Sequence, residues 1–200
     1  MPATTPVVID VLVDAPVAAV HGGDRRATVT VLPEEAVGGI DGALRVYEDG
    51  RVLAGLTTQL HDFGAISLPL GCLAPGWHCL TAAYTGGSRY HGAVSAPFTV
   101  LVLPAGTVTD LVVPTTGVAR GGTVGVTVRS VDSCRPACGS VSLYERARLI
   151  GTGDVVEGVG TVTVPADLAP GLHRLFAAYA GTETHCPSET PVVPVTVLAD

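Results

Sequence analysis

Two hundred residues are too many for one β-sandwich of about 100 and suit two domains of similar size. Charged residues make up 14% of the chain and hydrophobic ones 47%, the formal net charge is -7, and no basic cluster interrupts the acidic balance, which excludes a phosphate-tracking surface and nucleic acid as partner. No apolar run approaches the roughly 18 residues of a membrane helix, and a chain without Lys or Asn has no Schiff-base or phosphate-loop lysine, no lysine isopeptide and no N-glycan.

The opening run MPATTPVVIDVLVDAPVAAV is apolar, but Asp10, Asp14 and Pro16 interrupt it and no basic segment precedes it, so it reads as a strand and not as a secretory leader. A first strand is expected over 6–13, where Val7, Ile9, Val11 and Val13 alternate. Further strands follow near 27–32, 42–48, 51–56, 64–70, 77–84 and 94–103, all short and separated by Gly, Pro and Asp. Asp49-Gly50 marks a two-residue hairpin, because Gly accepts the positive φ such turns need. The pattern breaks at Leu103-Pro104-Ala105-Gly106, which divides the chain into domains 1–103 and 104–200. The second domain repeats the first at a displacement of about 95 residues. Leu73-Ala74-Pro75-Gly76, His78, Leu80 and Tyr84 recur as Leu168-Ala169-Pro170-Gly171, His173, Leu175 and Tyr179, while Gly42, Tyr47, Glu48 and Arg51 recur as Gly139, Tyr144, Glu145 and Arg148. The final VTVLAD carries no hydrophobic anchor tail.

The run L-A-P-G-x-H-x-L-x-A-x-Y-x-G, with G-x-x-x-x-Y-E upstream, resembles the bacterial Ig-like tandem repeat family over essentially the whole chain. The resemblance implies two tandem immunoglobulin-like Greek-key β-sandwiches of seven strands each. It also implies spacer or adhesive modules of exported surface proteins. Alternation supports the fold independently: His78, Leu80, Ala82 and Tyr84 share the inward face of the sixth strand, and Trp77, Cys79, Thr81 and Ala83 the outward one. His78 and His173 fall at the corner that a Tyr occupies in antibody domains, so both are expected buried and hydrogen-bonded to backbone, with Leu80 and Leu175 where the inter-sheet disulfide would be. Trp77 is expected to point outward, unless the second domain covers it.

Five cysteines, Cys72, Cys79, Cys134, Cys138 and Cys186, lie in expected loops or on outward faces. Cys72 and Cys79 are close enough in sequence for a local bridge, and Cys134-x-x-x-Cys138 for a small closed loop, leaving Cys186 over. Free thiols and a zinc site with His185 are the alternatives. Greek-key topology brings all five toward the junction between the domains.

No G-x-S-x-G, no H-E-x-x-H and no glycine-rich fingerprint opening a helix is present, and an enzyme is not expected. Neither a cofactor nor a metal site is expected. Glu48 and Glu145 read as solvated strand ends. A recognition surface is expected at the loop tip formed by Pro33-Glu34-Glu35 and Arg89-Tyr90-His91, since Arg and Tyr are frequent interface anchors. These features lead to a non-enzymatic structural or adhesive module of a bacterial surface or extracellular assembly, with a protein partner or a second copy of itself and no membrane insertion. The low charge content favours burial of further surface in a homo-oligomer. A virion decoration protein of a phage with a high-GC host and a carbohydrate-binding accessory module are the alternatives.

Overall fold

The computed structural model describes residues 7–35, 40, 42–53, 58–59 and 64–199. The chain is all-β and divides into two compact units, Met1–Leu103 and Pro104–Asp200. The first unit carries β1 (Ile9–Asp14), β2 (Ala18–Val20), β3 (Arg26–Pro33), β4 (Ala43–Glu48), β5 (Arg51–Val52), β6 (Thr58–Gln59), β7 (Ala65–Pro69), β8 (Gly76–Tyr84), β9 (Ala93–Val94) and β10 (Phe98–Leu103). The second carries β11 (Gly106–Val112), β12 (Thr123–Val131), β13 (Gly139–Glu145), β14 (Arg148–Val156), β15 (Val159–Thr163), β16 (Gly171–Tyr179), β17 (Ser188–Glu189) and β18 (Val193–Val197).

In the first unit a sheet of order β1-β3-β7 faces one of order β2-β10-β8-β4-β5, with β6 also on β4 and β9 on β8. Period-two alternation sets the faces: β3 buries Ala27, Val29 and Val31 and turns Thr28 and Thr30 the other way. These residues share one core with Leu68 of β7 and with Leu44, Val46, Leu80 and Val100 of the opposite sheet. Burial at about 25 cal/mol per Å² of apolar surface makes this interlayer core the main stabilising term. The fourth expected strand, 51–56, lies partly outside the described residues, as does residue 6 of the first.

Two departures from the seven expected strands recur in both units, and both have a local cause. The first strand is split: β1 pairs antiparallel with β3, then the chain crosses at Ala15-Pro16-Val17 so that β2 pairs parallel with β10 in the other sheet. Pro16, lacking an N–H, cannot continue a ladder, so the crossing falls there. In the second unit Val118 bridges Val197 in the same parallel sense beyond Pro114. The expected strand 94–103 is also interrupted. Ser95 N–H donates to the Ala82 carbonyl at 2.8 Å, and its Oγ then accepts from the Ala82 N–H at 3.0 Å and donates to the Ala96 carbonyl at 2.9 Å. Thr190 repeats this against Ala177 and Pro191. A hydroxyl thus satisfies a strand N–H where the neighbouring backbone turns away.

The second unit forms one hydrogen-bonded path, β11-β12-β15-β14-β13-β16-β17, with β18 on β16. The nine residues of β14 make this continuous, pairing with β13 along most of their length and with β15 only at Val155 and Val156. Before that point the two backbones crowd together: a Cβ on Gly153 would lie 2.1 Å from the Thr161 carbonyl oxygen. Val124, Val126 and Val162 on one side share a core with Val141, Leu143, Leu175 and Val195 on the other.

Candidate functional site

The corner entering β8 in the first unit and β16 in the second is built alike. The chain leaves the loop through Leu73-Ala74-Pro75 and turns at Gly76, whose φ of +136° an L side chain rarely adopts. Gly171 turns at the same angle. Nothing stands within 4 Å of a Cβ at either position, so the backbone angle and not crowding demands glycine. Two residues on, His78 is 9% exposed, as its expected inward position requires. Its Nε2 faces the Ala74 carbonyl at 2.7 Å and its Nδ1 faces Glu48 Oε1. His173 repeats both contacts, to the Ala169 carbonyl and to Glu145 Oε1, each at 2.8 Å. In the first unit His21 Nδ1 adds a contact with the Leu73 carbonyl at 2.8 Å.

Glu48 and Glu145 are therefore not merely solvated strand ends. Each closes its β-hairpin onto the corner through a histidine and is only 28% exposed in its side chain. A carboxylate and a carbonyl only accept, so the His173 ring donates to both only when each of its nitrogens carries a proton. For His173, burial lowers the pKa, but the hydrogen bond to Ala169 and then the hydrogen bond and charge of Glu145 outweigh it, and the net effect is a rise above 6.5. With both nitrogens in contact, these rings hold the corner.

At the tip of the first unit the segment Val7-Val8 runs between the two expected recognition loops. Val7 N–H donates to Arg89 O, His91 N–H to Val7 O, and Glu34 N–H to Val8 O, at 2.9, 3.0 and 3.2 Å. This brings Glu34 and Glu35 to one side and Arg89 and His91 to the other, all four exposed. Tyr90 is different: at 2% exposure it belongs to the core, because the parallel bridge between Val7 and Tyr90 draws it inward. It is not a surface anchor. Trp77 is 72% exposed on the outward face of β8, beside Leu101 of β10, and Leu172 at the matching place is 71% exposed.

All five cysteines are free, which corrects the expected bridges. Cys72 closes a 3-10 turn, Leu70–Cys72, whereas Cys79 lies three residues beyond the start of β8, about 10 Å along it. In the second unit the Arg135 N–H donates to Ser133 Oγ at 3.2 Å and Ser130 Oγ to the Arg135 carbonyl at 2.7 Å, fixing a local turn around Cys134. Cys138 instead stands at the start of β13, its carbonyl accepting from Tyr179 OH at 2.7 Å. Cys186 is partly buried with its thiol 3.9 Å from the Pro104 carbonyl. His185, the other member of the zinc alternative, is 3% exposed and engaged with Thr184 Oγ1 and the Arg135 carbonyl. Among the described residues no three His, Cys, Asp or Glu side chains are grouped to hold a metal. An open cleft of about 550 Å³ beside this loop is lined by Arg129, Ser133, Cys134, Arg135 and Glu157, among others.

The carboxylates were missed because a Glu beside a hairpin is usually wet. The available signal was joint recurrence, since both copies carry Tyr-Glu on one strand and His on the next.

Residues 107–198 match the sequence family described as bacterial Ig-like domain, group 3. No curated protein matches the chain. Among solved structures, the Yersinia pseudotuberculosis adhesin InvE is similar with a TM-score of 0.44 and 17% identity, over 96% of this chain and 59% of the adhesin chain, so this chain spans less than two thirds of it. The D0-D1 domain of intimin is similar with a TM-score of 0.31 and 14% identity, over 96% of this chain and 98% of that one.

Proposed function

With its second unit a bacterial Ig-like domain, we propose that this protein is a non-enzymatic structural or adhesive module of a bacterial surface assembly. The observation that carries the reading is that family match over residues 107–198. The repeated L-A-P-G-x-H corner, with the same Glu–His–carbonyl bridge, extends the reading to the first unit. Polar side chains at matching places in the two units hold backbone: His78, His173, Ser95 and Thr190 each bond to main chain. The exposed surface presents apolar side chains, Trp77 foremost, and the tip residues Glu34, Glu35, Arg89 and His91. Such a surface suits a protein partner. The test is antibody labelling of the host bacterium with serum raised against the purified chain. Intact cells are expected to be labelled as strongly as permeabilised ones; labelling confined to permeabilised cells would overturn the proposal.

A further inference from the structure

The second unit's corner histidine joins three elements that are distant in sequence: the loop carrying Ala169, strand β16 and the β13–β14 hairpin carrying Glu145. The ring's side chain is 13% exposed, so water supplies little in place of a lost partner. Counting donors decides what each protonation state can do. The doubly protonated ring fills both contacts; a neutral ring has one N–H and turns a lone pair toward either Glu145 Oε1 or the Ala169 carbonyl. One of the two bonds then becomes a repulsive contact. Immediately before the histidine stand Gly171, at φ +136°, and the exposed Leu172.

We propose that the Glu145–His173–Ala169 bridge is a proton-dependent latch, which ties the Leu168-Ala169-Pro170-Gly171 corner to the β13–β14 hairpin while the ring carries two protons and frees it when the ring carries one. Because the corner fixes the backbone that presents Leu172, the latch sets how firmly that apolar side chain is held out to a partner. The charged groups on the elements packed around the ring are Glu145, Arg146 and Arg148 at the turn end of the hairpin, Asp154 at its far end, Asp167 in the preceding loop and Arg174 on β16 itself. Strand β18, whose Val195 lies opposite His173, carries none. Glu145 is the one that touches the ring, so it governs the latch.

The direction with pH follows from the raised value. A ring that binds its proton more tightly folded than unfolded contributes stability in full below its ordinary pKa of 6.5, and that contribution is lost as pH rises through the higher folded value. The latch is therefore closed below the ordinary value of 6.5 and opens as pH rises through the higher folded value.

The decisive measurement is a proton–carbon and proton–nitrogen NMR titration of the full chain from about pH 5 to pH 9, spanning the ordinary histidine range. The His173 ring is assigned by through-bond correlation, so no variant has to fold for the wild-type result to count. His173 is expected to titrate above 6.5, with the amides of Ala169, Gly171 and Leu172 shifting at the same midpoint. Glu145→Gln is expected to lower that midpoint while leaving amide shifts of the first unit unchanged. A His173 midpoint at or below 6.5, or corner amides that ignore it, would overturn the latch.

Discussion

His78 shows how much one side chain does at this corner. It is 9% exposed, and its two nitrogens bridge a carboxylate on β4 to a loop carbonyl four residues before it. Removing the ring in His78→Ala leaves a half-buried carboxylate and a carbonyl without their donor, a loss of about 1–3 kcal/mol for a charged partner. Denaturant unfolding of the full chain is expected to show the first unit's transition moved to lower denaturant with an unchanged slope; a variant as stable as the parent would show that the bridge holds nothing. The burial of His78 and its backbone bond were legible from alternation and from the L-A-P-G-x-H spacing. Its bond to Glu48 was not, because the two are thirty residues apart in sequence. Only their shared recurrence in the second copy linked them. Tyr90 was misplaced for a related reason. Its neighbours Arg89 and His91 are exposed as a loop should be, and the pairing of Val7 that draws Tyr90 inward is a contact between distant segments.

Two glycines of the second unit separate two reasons for a position to require glycine. Gly171 has φ +136° with open space where a Cβ would sit, so Gly171→Ala meets only conformational strain, about 1 kcal/mol. Gly153 has no such angle, but its Cβ would press on the Thr161 carbonyl at 2.1 Å, and a backbone atom cannot swing aside as a side chain can. Gly153→Ala must push β14 away from β15, a rearrangement of the kind that costs about 1–3 kcal/mol or more. Thermal unfolding is expected to rank Gly153→Ala well below Gly171→Ala; the reverse order would mean that β14 can shift cheaply. Most strands were visible as alternating Val and Thr runs, whereas the split of the first strand was not. Pro16 sits in a run that is apolar on both sides, and nothing local says that β2 will pair with β10, more than eighty residues on, instead of with β3. The same holds for Ser95 and Thr190: a hydroxyl that replaces a ladder partner looks like any polar residue before a turn until the strand opposite is known.

Each unit has its own core, with Val29, Leu44, Leu80 and Val100 in one and Val126, Leu143, Leu175 and Val195 in the other. Residues 104–200 expressed alone are therefore expected to unfold in one cooperative transition. A fragment without a sigmoidal melt would show that the second core is incomplete by itself. The internal repeat made the boundary legible, because duplicated sequence implies duplicated folding units. The cysteines misled for the opposite reason: nearness in sequence is not nearness in space when strand geometry carries one residue away from the other. The parallel run of β2 beside β10 has a mechanical meaning. Ala18–Val20 pairs in the same direction with Leu101, Val102 and Leu103, the last strand of the first unit. If the unit is pulled by its two ends, these strands are drawn in opposite senses along their shared axis. The load then falls on all of their bonds together, in shear, instead of peeling them one at a time. A module held at one end and tugged at the other would yield abruptly and late.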